Sequence, residues 1–441
     1  MNKNKQGSIS IKEFFSNFSL EISDYQRPYV WSAQQVINLL DDLHNFSSVT
    51  NNQPDYYLDN IILVVKKTES NTTSYQLIDG QQRIISLTII AILLGEDFST
   101  ESIKINSQNS QDRIQENTSY LKHYTDSKQF SVNWDRINIT YIIADNDDQA
   151  FKFYTTLSTS GKRLNGIDII KPYHLQATDK SQQELKAVEL EKYQFDSNKL
   201  NNIVHILLRA RYWQGATFLT FPYIDNVNLW KTKLEQEFVT NTRENLEDTK
   251  YFKGYQVNNN DLISNTPNYY IDQPLNKGIN TINYLLYFCQ VWDLIITQLE
   301  ELKLNNIIEV ESSRGKTFNN EYFQIALLTY VSRYGKNSMF AENFERIVKL
   351  LFKVCFYNRL VYPVNKSTVY KVESENRLIN QIAYSYDKLD LIAFCENYYQ
   401  ESILSQFSKI KEKGFENYPM LKRFSEAFKV DEKNIVNPFF N

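Results

Sequence analysis

The chain has 441 residues, a length that fits two or three domains. Hydrophobic residues make up 42% and charged residues 23%, an ordinary globular balance, while 11 glycines and 9 prolines argue against long flexible linkers and against an all-β fold rich in tight turns. A formal net charge of -4 supplies no global basic field for DNA, and three widely separated cysteines (Cys289, Cys355 and Cys395) argue against a zinc site or a disulfide framework.

The amino terminus is polar and has no stretch of signal-peptide type. The longest apolar run, Ile84 to Leu94, is too short to cross a bilayer and reads as a buried helix. The expectation is a soluble, cytoplasmic protein without membrane contact.

Taken in chain order, residues 10–20 carry Phe14, Phe15 and Phe18 and suggest a short helix. The segment Tyr25-Gln26-Arg27-Pro28-Tyr29-Val30-Trp31 follows, and Pro28 keeps Arg27 extended. Ser32 then caps a helix whose Val36, Leu39, Leu40 and Leu43 share one face. Tyr57 to Lys67 has the apolar, β-branched character of a buried strand, and Ser74 to Ile78 is its return partner. That strand runs into Asp79-Gly80, after which a helix extends from Gln82 to Leu94. Residues 99–135 are polar and partly helical, and Asn138 to Ala144 reads as a strand. Asp147 and Asp148 cap a helix with Ala150 and Phe153, and a loop through Lys162 leads to a helix carrying Ile167, Asp168 and Lys171. Beyond residue 180 strand signals are sparse and helical patterns dominate, at 183–195, 198–213, 276–303, 319–334, 340–360 and 389–407. Residues 240–275 read as a long polar excursion. The fold class is therefore α+β: an α/β domain over 1–180, then a mostly α-helical region over 181–441.

The strand–Asp79-Gly80-Gln81-Gln82-Arg83–helix unit is the sharpest chemical feature. A carboxylate closing a buried strand is costly unless it is paired or has work to do. Gly80 permits positive φ or a close backbone approach. Gln81 to Arg83 form a first helical turn whose N–H groups and dipole suit an anion, and Arg83 adds a forked donor for phosphate oxygens. Asp79 and Arg83 are thus the catalytic candidates. Read alone, the same residues also describe a plain turn: Asp79 capping the helix, Gly80 turning the chain, Arg83 paired with a surface acid. Gln26 and Arg27 offer a second polar arm braced by aromatic rings, and Lys162, Asp168 and Lys171 a third group of charges.

These three blocks, in this order, resemble the N-terminal domain of GmrSD-type modification-dependent restriction enzymes, known for its DGQQR motif, from about residue 10 to about residue 180. The third block departs from the pattern at Tyr154, where the family commonly has Phe, and at Ser158, where it commonly has Asn. The resemblance implies a small ParB/sulfiredoxin-like α/β unit that binds nucleotide phosphates at the turn after its central strand. It further implies hydrolysis of a nucleoside triphosphate with a divalent cation such as Mg2+, coupled to sensing of modified DNA. Carried over, Asp79 and Arg83 are the catalytic residues, and Gln26, Arg27, Gly80, Gln81, Gln82, Lys162, Asp168 and Lys171 bind nucleotide.

Many relatives add an HNH-like nuclease domain, which needs a histidine. This chain has four, His44, His123, His174 and His205, and none lies beyond residue 205. His174 and His205 sit among apolar residues and read as helix-packing side chains. Glu375-Asn376 offers an acid and an amide and reads as solvated. Three functions remain in view: an NTP-hydrolysing specificity subunit that works with a separate HNH-type nuclease, a nuclease acting alone through the ParB-like site, and a non-catalytic nucleotide- or DNA-binding module. DNA, the separate nuclease and a second copy of the chain are the expected partners.

Overall fold

The computed structural model describes residues 6–22, 28–49, 54–67, 73–96, 103, 105, 107–126, 128–146, 149–150, 153, 166–195, 199–213, 227–251, 254–256, 262–264, 268–304, 314–360, 366–413 and 425. The chain divides into two compact units, residues 1–191 and 192–441.

The first unit is built on a five-stranded mixed sheet of β1 (Gln6–Ser10), β2 (Leu20–Ile22), β3 (Tyr56–Lys67), β4 (Thr73–Asp79) and β5 (Ile137–Ala144), in spatial order β1-β5-β3-β4-β2. Central β3 runs antiparallel to β4 and parallel to β5. Its position explains its sequence. With neighbours on both edges and cover on both faces, Ile61, Ile62, Leu63 and Val64 are all buried. The two-residue period splits them: Ile61 and Leu63 enter the main core, while Ile62 and Val64 pack with Ala144 and Ala150 on the opposite face. Each such side chain contributes on the order of 1.5–3 kcal/mol of burial free energy.

The main core is closed by α1 (Ile11–Asn17), α2 (Ala33–Ser48), α3 (Gln81–Leu93) and α4 (Gln108–Asp126). Helix α2 starts as expected after Ser32, whose backbone N–H donates to Gln35 Oε1 at 2.9 Å, and runs five residues past Leu43. The helix expected after Asp147-Asp148 lies largely outside the described residues. Two strands carry little sequence signal. Edge strand β1 is Gln-Gly-Ser-Ile-Ser with one apolar side chain, and β2 has three residues paired parallel to Tyr75–Leu77. Helices α5 (Gly166–Gln176) and α6 (Lys180–Phe195) follow, the latter crossing the boundary between the units.

In the second unit the long helices fall where the apolar periodicity places them. These are α7 (Lys199–Trp213), α9 (Ile279–Glu301), α10 (Arg314–Tyr334), α11 (Phe344–Phe356) and α14 (Lys388–Lys413), while α8 (Val227–Glu235), α12 (Lys366–Asn376) and α13 (Leu378–Tyr384) form where the sequence reading placed no helix. Among the described residues of the polar excursion there is a three-residue strand pair at Gly254–Gln256 and Leu262–Ser264. It is pinned by Asp248, which accepts from the Tyr269 hydroxyl at 2.6 Å and from Asn280 and Asn283 side-chain amides at 3.1 and 2.9 Å. Both histidines read as packing groups do pack. His174 is fully buried with its ring edge-on to Tyr173, and His205 stacks on Trp230, burial and then the nearby Arg209 pushing its pKa down to about 4. The expectation for Glu375-Asn376 holds for one residue only. Glu375 is on the exposed face near Lys371, but Asn376 is buried, accepting from the Leu378 backbone N–H at 2.9 Å. An acid and an amide one position apart on a helix point in different directions, so one can be wet and the other dry.

No helix among the described residues is long and apolar enough to cross a membrane.

Candidate functional site

The site begins where β4 ends. Strand β4 carries an extra residue, Ile78, because Ile62 pairs with Asp79 while Leu63 pairs with Leu77. Such a bulge kinks the strand and re-aims the side chain that follows, here half-buried Asp79. Gly80 then turns the chain with φ 96° and ψ 3°, the left-handed region. A Cβ at this position would press on the tip of the Ile61 side chain, which could shift, so it is the left-handed conformation that selects glycine. Asp79 Oδ1 accepts from the Gly80 N–H at 2.8 Å. The first intrahelical bond of α3 is Ile84 N–H to Gly80 C=O at 2.9 Å, so the amides of Gln81, Gln82 and Arg83 precede the ladder at the positive end of the helix.

Gln82 ties this turn to the second sequence block. Its Oε1 accepts from the backbone N–H groups of Val30 and Trp31 at 2.8 and 3.2 Å, and its Nε2 donates to the Pro28 carbonyl at 3.0 Å. One side-chain amide thus satisfies three backbone groups of a strap, residues 28–31, that belongs to no helix or strand. The buried Tyr29 side chain anchors the strap. Its hydroxyl lies 2.7 Å from Ser86 Oγ on α3 and accepts from Asn117 Nδ2 on α4 at 3.2 Å. Asn117 Nδ2 also donates to the Trp31 carbonyl at 2.8 Å, and Tyr29 N–H donates to Ser110 Oγ at 2.9 Å. Burial pushes the Tyr29 pKa up, so the hydroxyl keeps its proton for these bonds. Pro28 is the residue that follows Arg27; Gln26 and Arg27 themselves lie outside the described residues.

The Arg83 side chain is mostly buried, its Nη1 included, and places that nitrogen 2.9 Å from Asp59 Oδ2. Asp59 lies at a second bulge, where Leu58 and Asp59 of β3 stand opposite Ile139 of β5. The pairing of Arg83 with a surface acid, read from the sequence as the plain alternative, is therefore present. Its carboxylate is half exposed, so the pair is worth at most about 1 kcal/mol and does not lock the arginine.

The third block is described only in part. Lys162, with Tyr154 and Ser158, lies outside the described residues. Asp168 and Lys171 are both buried in α5. Lys171 Nζ donates to Glu191 Oε1 of α6 at 3.1 Å, with both side chains almost wholly removed from solvent. Glu191 Oε2 accepts from Ser107 Oγ at 2.9 Å, and Ser107 Oγ accepts from the Ser110 N–H at 3.3 Å. Ser110 is the residue whose hydroxyl holds Tyr29 N–H. Among the described residues, the three blocks are thus linked through hydrogen bonds.

Sequence reasoning did not single out Asp59, Ser107, Ser110, Asn117 or Glu191. Ser86 left a trace, as a hydroxyl interrupting an apolar run, but the polar partners on α4 look like any solvated helix face. Among the described residues no three His, Cys, Asp or Glu side chains gather where they could hold a metal ion.

With this geometry in place, two family matches define the chain. Residues 11–175 match the model of the GmrSD restriction endonuclease N-terminal domain, and the mixed sheet with its strand–turn–helix unit is consistent with the ParB-like superfamily. The first unit is a GmrSD-type N-terminal domain. Residues 182–412, more than half of the chain, match a family of unknown function (DUF7834), and the protein belongs to that family. No curated protein matches the chain.

Proposed function

We propose that the protein is the nucleotide-binding and nucleotide-hydrolysing specificity subunit of a restriction system that senses modified or foreign DNA and works with a separate nuclease. The observation that carries this reading is the bracing of the Asp79–Arg83 turn by Gln82 and the Pro28–Trp31 strap, inside a domain that matches a restriction endonuclease. A rigidly held strap beside a helix N-terminus is the preorganisation that phosphate binding needs.

In this reading the amides of Gln81 to Arg83 meet the phosphates, and Arg83 leaves or shares Asp59 to neutralise charge on the transferred group. Gln26 and Arg27, the two residues before Pro28 in sequence, Lys162 and Asp168 of α5 are the further nucleotide ligands in this reading. Gln82 and Lys171 act on the nucleotide by holding the site in shape. Magnesium is held chiefly by the triphosphate and needs only one or two protein carboxylates, a requirement Asp79 meets without a three-acid cluster. It would supply charge neutralisation. Asp79 would also orient the attacking water.

Phosphate release is to be measured with and without modified DNA. Wild type is expected to turn over nucleoside triphosphate, and Asp79→Ala and Arg83→Ala to lose that activity while remaining folded. A wild-type protein that neither binds nor hydrolyses any nucleotide overturns the proposal. Tight binding without turnover makes it a non-catalytic nucleotide module instead.

A further inference from the structure

The buried Lys171–Glu191 pair is costly to form and is remote in sequence from the strap. Taking two charges out of water costs several kcal/mol per ion before their attraction is counted, and well-packed apolar residues commonly serve stability as well. A pair retained in such a place invites a reason other than stability. The reason is visible on the second carboxylate oxygen. Oε1 of Glu191 takes the lysine, and Oε2 takes Ser107 Oγ at 2.9 Å. Because the Ser107 hydroxyl donates to Glu191, its lone pairs are turned to accept from Ser110 N–H, fixing the start of α4. Ser110 Oγ in turn accepts the backbone N–H of Tyr29. Tyr29 closes onto Ser86 of α3, whose hydroxyl donates to the Gln82 carbonyl at 2.8 Å. A continuous hydrogen-bonded route runs from Glu191 to the residue whose side chain holds the strap.

We infer that Glu191 is a positioning residue for the nucleotide site, acting through Ser107 and Ser110 on the Tyr29 strap, with Lys171 as the partner that aims its carboxylate. The inference rests on the nucleotide-binding function proposed above. Both ends of the route lie in the first compact unit, yet Glu191 belongs to the segment 182–412 that matches the second family. The GmrSD-type match ends at residue 175, so the segment it covers does not contain the residue that completes its own site.

The test uses the full chain and two double variants. Lys171→Met/Glu191→Gln removes both charges and keeps an acceptor for Ser107. Lys171→Met/Glu191→Leu removes both charges and the acceptor. Neither leaves a buried charge unpaired, so thermal unfolding is expected to be similar for the two. Hydrogen exchange at the Tyr29, Val30 and Trp31 amides, measured without nucleotide, is expected to stay slow in the Gln variant and to accelerate at least about tenfold in the Leu variant and in Ser107→Ala. Both double variants lack Lys171, so nucleotide affinity is compared between them, with Kd and KM expected to be about tenfold higher in the Leu variant than in the Gln variant and kcat little different. Equal strap exchange in the Gln and Leu variants overturns the inference, whatever the nucleotide results. Accelerated exchange with unchanged nucleotide affinity overturns it as well. A wild-type chain that binds no nucleotide while the exchange difference persists defeats the proposed function, and with it the positioning role, but leaves the hydrogen-bonded route standing.

Discussion

Both units bury polar groups, but they use them on different targets. In the first, Gln82, Ser110 and Asn117 converge on the backbone of residues 28–31, a stretch with no ladder of its own. In the second, the fully buried Glu373 of α12 accepts from the Tyr322 hydroxyl and from the Ile379 N–H at the start of α13, while Asn376 accepts from Leu378 N–H. These groups close the junction of two helices, with Arg377 between them in a left-handed conformation at φ 53°. The same chemistry therefore holds a loop in one place and a helix end in the other. Loops held on a rigid scaffold are where binding residues commonly sit, whereas a capped helix end satisfies the fold.

The comparison breaks most readily at Gln82. Gln82→Ala strands three backbone groups, and the expected cost is about 2–3 kcal/mol of stability, read by urea unfolding, with nucleotide hydrolysis down by about a hundredfold or more. Hydrolysis unaffected by this change would mean that the strap serves the fold alone. Glu373 is the counter-test in the second unit. Burial is the first cause pushing its carboxyl up to about 8, against the opposing hydrogen bonds from Tyr322 and the α13 amides. A group whose folded pKa stands above its unfolded value binds its proton more tightly in the fold, so its contribution is full below about pH 4.5 and drains away as pH rises through about 8. Melting temperatures from about pH 5 to 9 are expected to fall more steeply for wild type than for Glu373→Gln, with nucleotide binding equal in both. The smallest effect is expected at Asp59. Asp59→Asn should change stability by less than about 1 kcal/mol, since its partner contact is half solvated, and should strengthen rather than weaken phosphate binding by releasing Arg83. Weaker binding in Asp59→Asn would show that the aspartate aims the arginine.

The scaffold was legible where one physical cause dominates. The Ile61–Val64 run, the turn at Gly80 and the apolar spacing of the long helices each follow from burial or from a steric demand of the backbone. Strands β1 and β2 were not legible, because edge strands of five and three residues owe their form to the neighbour they pair with. Within the site, the sequence pointed to Gln82 and Lys171 as polar residues near a ligand. It could not show that both amide atoms of Gln82 are spent on the strap, or that the Lys171 ammonium is met by a carboxylate twenty positions onward. A side chain that reaches a ligand and one that braces the residue reaching it are written with the same letters. The bracing partners are fainter still, since Ser107, Ser110 and Asn117 lie at or in a helix whose composition is polar throughout.

The two glutamines of the Asp79–Arg83 turn are adjacent in sequence but unequal in substance. The amide of Gln82 imitates a peptide group: it offers a carbonyl to two N–H donors and an N–H to one carbonyl, as a neighbouring strand would. A single neutral residue thereby extends the sheet's grammar to a segment that is not part of the sheet. Glutamate in place of Gln82 forfeits the donor, and lysine forfeits the acceptor. Sequences that keep the first glutamine and lose the second are therefore expected to have abandoned this strap.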